Sequence, residues 1–174
     1  AFLIGILTKL TDLIVDNKLR FIKYSEYFLG LGYGILTAYI VSKTDIVTAS
    51  LWVGLVLGVI ITGKIDKLAH ILGLVGFFGY TILNGLPKLS ILFIAIFTLA
   101  TSFDEVLEER IKHKEKLINL FKKFLGLELV CLIVSLLTSN WMVFFSILSF
   151  DIGYIVIAKI GSKILKYKNN KKRI

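Results

Sequence analysis

Proline, cysteine, methionine and histidine are nearly absent from this chain: its 174 residues hold one Pro, one Cys, one Met and two His. A single proline, with no low-complexity tract, excludes a Pro-rich linker or a fibrous repeat. A single cysteine excludes an internal disulfide, and no CxxC or HExxH spacing is available to build a zinc site. Cys131 lies in the run LELVCLIVSLL and reads as a small buried hydrophobe rather than a nucleophile, because no basic residue adjoins it. Charge is scarce as well. Asp, Glu, Lys and Arg make up 19% of the chain, against about 25% in an average soluble domain.

What fills the chain instead is apolar. Hydrophobic residues are 56% and aromatic residues 13% of the sequence, and the mean hydropathy is +0.83. That departure excludes intrinsic disorder, which needs low hydrophobicity and few aromatics. It points to an all-α, polytopic membrane helix bundle. The net charge of +9 would suggest nucleic acid as a partner of a soluble protein. Here it fits the excess of basic residues at cytoplasmic membrane edges, so no nucleic acid is expected.

Residues 1–23, AFLIGILTKLTDLIVDNKLRFIK, alternate at helical period. Leu3, Ile6, Leu7, Leu10, Leu13 and Ile14 fall on one face, and Lys9, Asp12, Asp16 and Arg20 on the other. This is the pattern of a helix lying in the membrane interface. Lys9, Asp12 and Asp16 interrupt the apolar core a signal peptide would need, so the segment is expected to stay in the mature protein.

Six apolar runs follow, at 29–41, 46–62, 70–85, 89–101, 124–138 and 141–158. Each is shorter than the roughly 20 residues that cross a bilayer, so flanking residues must snorkel to complete the shorter spans. The third and fourth runs, divided by Pro87, are either two short spans or a re-entrant hairpin. The stretch 103–123 is read as a second interfacial helix, opened by a capping box at Ser102 and Glu105. The chain is thus divided into an amphipathic helix over 1–23, a transmembrane bundle over 24–160 and a basic tail over 161–174. With both termini inside, nineteen of the 21 Lys and Arg residues lie on the cytoplasmic side, leaving Lys43 and Lys88 outside. A bias that lopsided predicts a multi-pass protein of the cell membrane with cytoplasmic termini and anionic lipid at its inner face.

Ionisable groups at membrane depth are expensive, and each is a candidate site. Asp151, ten residues beyond Trp141, falls about 15 Å into the membrane at 1.5 Å per residue. Glu128 lies about one turn inside the cytoplasmic boundary. Asp66 and His70, four apart, would share a face if both were helical and form a proton-transfer pair or co-ligate a cation. Asp104, Glu105 and Glu108 crowd one turn at the cytoplasmic edge, an oxygen-rich set of the kind that holds Mg²⁺ with substrate phosphates. Each has a plainer reading as well: a cap, a boundary residue or a solvated charged face.

Asp104-Glu105-x-x-Glu108 is similar, in loose form, to the acidic motifs of membrane polyprenyl transferases of the UbiA kind, although the Asn that precedes such motifs is missing. Six helices behind an amino-terminal interfacial helix resemble the layout of the CDP-alcohol phosphotransferases, whose DGxxAR…GxxxDxxxD signature is absent. These likenesses are architectural and assign no family.

Taken together, the residues predict a Mg-dependent enzyme acting on a lipid phosphate or prenyl diphosphate. Asp66, Asp104, Glu105 and Glu108 would hold the metal; Lys64, Lys67 and Arg110 would bind the phosphate; His70 or Asp151 would move a proton. Two alternatives stand beside it. One is a small cation- or proton-coupled transporter or channel using the intramembrane acids Asp151 and Glu128. The other is a non-catalytic assembly or anchoring subunit.

Overall fold

A computed structural model gives the backbone of residues 1–17, 22–111 and 126–171, and within those the side chains of 1–16, 22–107 and 126–167. Seven helices and no strands are present among the described residues: α1 (Phe2–Asn17), α2 (Ser25–Lys43), α3 (Ile46–Ile61), α4 (Leu68–Asn84), α5 (Ile91–Ile111), α6 (Leu127–Thr138) and α7 (Trp141–Lys171).

The helix ends follow from local chemistry. Asp45 caps α3, its carboxylate accepting from Val47 N–H at 2.9 Å and Thr48 N–H at 3.1 Å, which satisfies donors that the first turn leaves open. Gly85 ends α4 at φ +80°, the left-handed conformation that glycine adopts without strain, and Pro87 follows in a non-helical connection over 85–90. Ser139 closes α6 in the left-handed region. Asn140 then starts α7 by accepting from Met142 N–H at 3.1 Å and donates to Asp45 at 2.7 Å.

The chain divides into two compact units. The first comprises Ala1–Ala38, Lys67–Tyr80 and Ser149–Ile174; the second comprises Tyr39–Asp66 and Thr81–Leu148. In the first unit, backbones meet through glycines. A Cβ at Gly5 would fall on the Phe150 carbonyl and one at Gly153 on the Phe2 carbonyl, so α1 and α7 touch main chain to main chain. Gly34 meets the Gly73 carbonyl in the same way and joins α2 to α4. Small residues at such crossings are the usual means of helix association where lipid removes the hydrophobic drive. In the second unit α3 packs on α5 and α5 on α6, with Trp52, Phe97, Cys131, Val143 and Ile147 at its core.

Among the described residues one helix segment, Trp141–Tyr167, is long and apolar enough to cross a membrane, and only 17% of its most apolar window is buried within the molecule. A soluble core helix of that composition would be mostly covered. Ile46–Ile61, Leu68–Asn84 and Leu127–Thr138 are apolar but shorter. A bundle of six crossings is therefore not established; one helix among the described residues qualifies by length and composition. Large apolar side chains nonetheless lie open elsewhere, with Ile82 80%, Leu83 85% and Ile91 85% exposed.

Two sequence expectations are corrected. Ser102 opens no helix, because α5 runs unbroken from Ile91 to Ile111; no Pro or Gly interrupts that stretch, so the backbone of Ser102 is already inside a helix. Residues 103–111 are thus the end of α5 rather than a separate interfacial helix, and 112–125 lie outside the described residues. Lys9 and Asp12 are held by Tyr154 of α7, and Thr11 beside them is fully buried.

Candidate functional site

The close helix crossings of the first unit set a line of polar side chains. Tyr154 follows Gly153, where α7 lies against α1, and its hydroxyl donates to Asp12 Oδ2 at 2.9 Å. Lys9, one turn before Asp12, donates to the same hydroxyl at 2.9 Å and to Asp12 Oδ2 at 3.4 Å. The Lys9 ammonium also lies 4.5 Å from the Tyr154 ring centroid, within reach of a cation–π attraction. The other carboxylate oxygen, Oδ1, stands 3.5 Å from His70 Nε2. The opposite ring nitrogen, Nδ1, is 2.9 Å from the Tyr33 hydroxyl.

Tyr33 reaches His70 because Gly73, one turn further along α4, leaves room for it. A Cβ at Gly73 would lie 2.5 Å from the Tyr33 hydroxyl oxygen and 2.6 Å from its Cζ. Donor and acceptor assignments are then self-consistent. If Tyr33 O–H donates to Nδ1, the neutral imidazole carries its proton on Nε2, aimed at Asp12. The carboxylate thus collects Tyr154, Lys9 and the imidazole, and the series Lys9–Tyr154–Asp12–His70–Tyr33 joins α1, α2, α4 and α7. Lys9, Asp12 and His70 side chains are 21%, 20% and 16% exposed, which leaves the line partly open to solvent.

The second unit gathers a different set. Asp104, on α5, accepts from the Leu127 N–H at 2.6 Å and so caps the amino end of α6, whose own cap residue, Gly126, supplies no side chain. A Cβ at Gly126 would collide with the Asp104 carboxylate, so the glycine is what lets the acid approach. Glu128 follows in the first turn of α6. Asp104 Oδ1 and Glu128 Oε2 are both buried without a hydrogen-bond partner. Burial pushes the Asp104 carboxyl up to about 6, the Leu127 N–H opposes that shift, and the neighbouring Glu128 and Glu105 charges reinforce it. Glu105 itself pairs with Lys64 at 3.5 Å.

Of the residues singled out by sequence, Lys64, Glu105, Asp104 and Glu128 fall in the second unit, as does Asp66, while Lys67, His70 and Asp151 fall in the first. Asp66 and His70 do not lie on one helix. Helix α4 starts at Leu68, so Asp66 precedes it in an irregular stretch and their four-residue spacing is not a spacing within one helix. Lys67 provides the carbonyl that accepts the His70 and Ile71 N–H groups at 2.9 and 3.0 Å. Asp151 is half-buried on α7. The side chains of Glu108 and Arg110 lie outside the described residues. Among the described residues no group of three or more His, Cys, Asp or Glu is gathered as a metal would need.

Sequence reasoning missed Lys9, Asp12, Tyr33 and Tyr154. The available signal was the adjacency of tyrosines to glycines, Tyr33 before Gly34 and Tyr154 after Gly153, where small residues bring two backbones together. Comparison with protein-family models, with curated proteins and with solved structures finds no match to this chain.

Proposed function

We propose that the chain is a multi-pass membrane protein with cytoplasmic termini that exchanges protons through the Lys9–Tyr154–Asp12–His70–Tyr33 line. The membrane reading rests on the apolar composition, the long apolar helix Trp141–Tyr167, the exposed large side chains and the inward bias of Lys and Arg. The proton reading is carried by one observation: both ring nitrogens of His70 face a protein partner, a phenol on one side and a carboxylate on the other. A general base that meets a substrate keeps one nitrogen free for it. An imidazole between two proton-bearing groups is a link, able to receive a proton at one nitrogen and release it from the other. Asp151, one turn before Tyr154, shares a helix face with it and would extend the line along α7, in keeping with a transporter that uses intramembrane acids.

The test is a pH gradient imposed across proteoliposomes that hold the full chain and a trapped pH dye. The wild type is expected to dissipate the gradient, His70→Gln and Asp12→Asn to slow it at least about tenfold, and Lys88→Gln to leave it unchanged. Dissipation no faster than in protein-free vesicles overturns the reading.

A second reading, a Mg-dependent enzyme on a lipid phosphate, is favoured by the buried, partnerless oxygens of Asp104 and Glu128 in the same unit as Lys64. Asp104 and Glu105 would hold Mg²⁺ and Lys64 would meet the phosphate. A Mg²⁺-dependent rise in thermal stability with a prenyl diphosphate, lost in Asp104→Ala, supports it; the same curve with and without both ligands removes it.

A further inference from the structure

Helix α7 spans Trp141–Lys171, 31 residues, or about 46 Å at 1.5 Å per residue. The hydrocarbon core of a bilayer is only about 30 Å thick. With Trp141 at one interface, as an amphipathic indole prefers, the opposite boundary falls about 20 residues on, near Ile160. Three lysines bracket that level. Lys159, Lys163 and Lys166 are all exposed, and their spacing of four and three places them within about 60° of arc at 100° per residue. They climb about 10 Å along the helix, enough to reach through a headgroup layer of about 5–7 Å to its phosphate.

The surface beneath and beside them is apolar and open. Ile152, Val156 and Ile160 are 48%, 40% and 49% exposed, and at four-residue intervals they form one ridge running from the membrane interior to the lysines. The side of α7 that carries Gly153 and Gly161 is covered by Phe2 and Leu13 of α1, so the lysine face and the ridge are not the surface used in that contact. Residues 152–171 of the helix carry no Asp or Glu, so no acidic side chain next along α7 pairs with these ammonium groups.

We propose that this face of α7 is a binding site for an anionic phospholipid, its phosphate held by Lys159, Lys163 and Lys166 and an acyl chain laid along Ile152, Val156 and Ile160. The inference rests on the membrane reading above but not on proton exchange. Each lysine near a charged headgroup is worth roughly fivefold in affinity, and the three act on one phosphate-bearing surface. The ridge adds apolar contact that a free phosphate ion lacks, so the site distinguishes a lipid from inorganic phosphate.

The test uses the full chain purified in a zwitterionic detergent and titrated with phosphatidylglycerol, phosphatidylcholine or inorganic phosphate, with melting temperature and lipid retention in native mass spectra as readouts. Phosphatidylglycerol is expected to raise the melting temperature and to stay bound, phosphatidylcholine and phosphate to do neither. The Lys159→Gln, Lys163→Gln, Lys166→Gln triple variant should bind on the order of 100-fold more weakly while melting as the wild type does without lipid. That last control separates lost binding from lost folding. Equal stabilisation by both lipids, equal retention by the triple variant, or an effect reproduced by phosphate alone would each overturn the assignment. If the chain is extracted from membranes by alkaline carbonate, the membrane reading itself fails, an outcome separable from weak lipid selectivity.

Discussion

Asp12 and Asp104 are the same residue in opposite circumstances. Asp12 gathers a phenol, an ammonium and an imidazole around its two oxygens. Asp104 has one backbone N–H, two carboxylate neighbours and a buried oxygen with no hydrogen-bond partner. Burial of a carboxylate is tolerable when donors and positive charge surround it, and it is a liability when the nearest charges repel. The first unit therefore holds a connected polar line, and the second holds an acid under tension at a helix end. Each arrangement depends on glycine, which brings α2 to α4 and α1 to α7 in one unit and admits a carboxylate to the start of α6 in the other.

The largest way to break the contrast is to push the helices of the first unit apart. Gly34→Val places side-chain atoms on the Gly73 carbonyl and is expected to destabilise the protein by about 3 kcal/mol. Gly32 on the same helix has nothing within 4 Å of its Cβ position, so Gly32→Ala should leave the fold intact or stabilise it by about 0.5 kcal/mol. Denaturant titration in detergent reads both. Equal losses would show that close approach at Gly34 is not what joins α2 to α4.

Next in size is Asp12→Ala, which strips Tyr154, Lys9 and His70 of their shared acceptor. A loss of about 2 kcal/mol is expected, together with loss of the proton exchange proposed above. Gly126→Ala is smaller. It displaces the Asp104 carboxylate from the Leu127 N–H and should destabilise by about 1 kcal/mol, the usual scale of a lost helix cap.

Asp104→Asn goes the other way. With the folded carboxyl near 6 and an ordinary value of 3.8, the folded chain binds the proton more tightly than the unfolded one. Stability from this group is thus highest below about pH 4 and falls as pH rises toward 6, after which the penalty is complete. The amide keeps an acceptor for Leu127 N–H and carries no charge, so the variant should exceed the wild type by about 1 kcal/mol at pH 7 to 8, after discounting for partial exposure. It should also lose the slope between pH 4 and 6. Thermal melts across that range provide the check, and a less stable variant at pH 8 would mean that the charged form is the favoured one.

The helices themselves were legible in the apolar runs, since a run bounded by Asp45 at one end or by Gly85 and Pro87 at the other has few alternatives. The continuation of α5 through Ser102 was not, because a capping signature identifies a good start without showing that the preceding residues are non-helical. His70 was legible as a polar residue at a boundary, but its partners were not. Spacing pointed to Asp66 within the same segment, whereas Asp12 and Tyr33, which face its two ring nitrogens, come from segments 58 and 37 residues away. A linear pattern reports which face a residue shares along one helix; it says nothing about which other helix lies against that face. Tyr33 and Tyr154 passed as ordinary aromatic residues of apolar runs for the same reason.

The most direct measurement is the ¹⁵N spectrum of His70 in uniformly histidine-labelled protein, assigned by His70→Gln. The account predicts that Tyr33→Phe moves the Nδ1 resonance and that Asp12→Asn moves Nε2, each variant acting mainly on the nitrogen it faces. Ring resonances like those of a free imidazole, unmoved by either substitution, would contradict a connected line through His70.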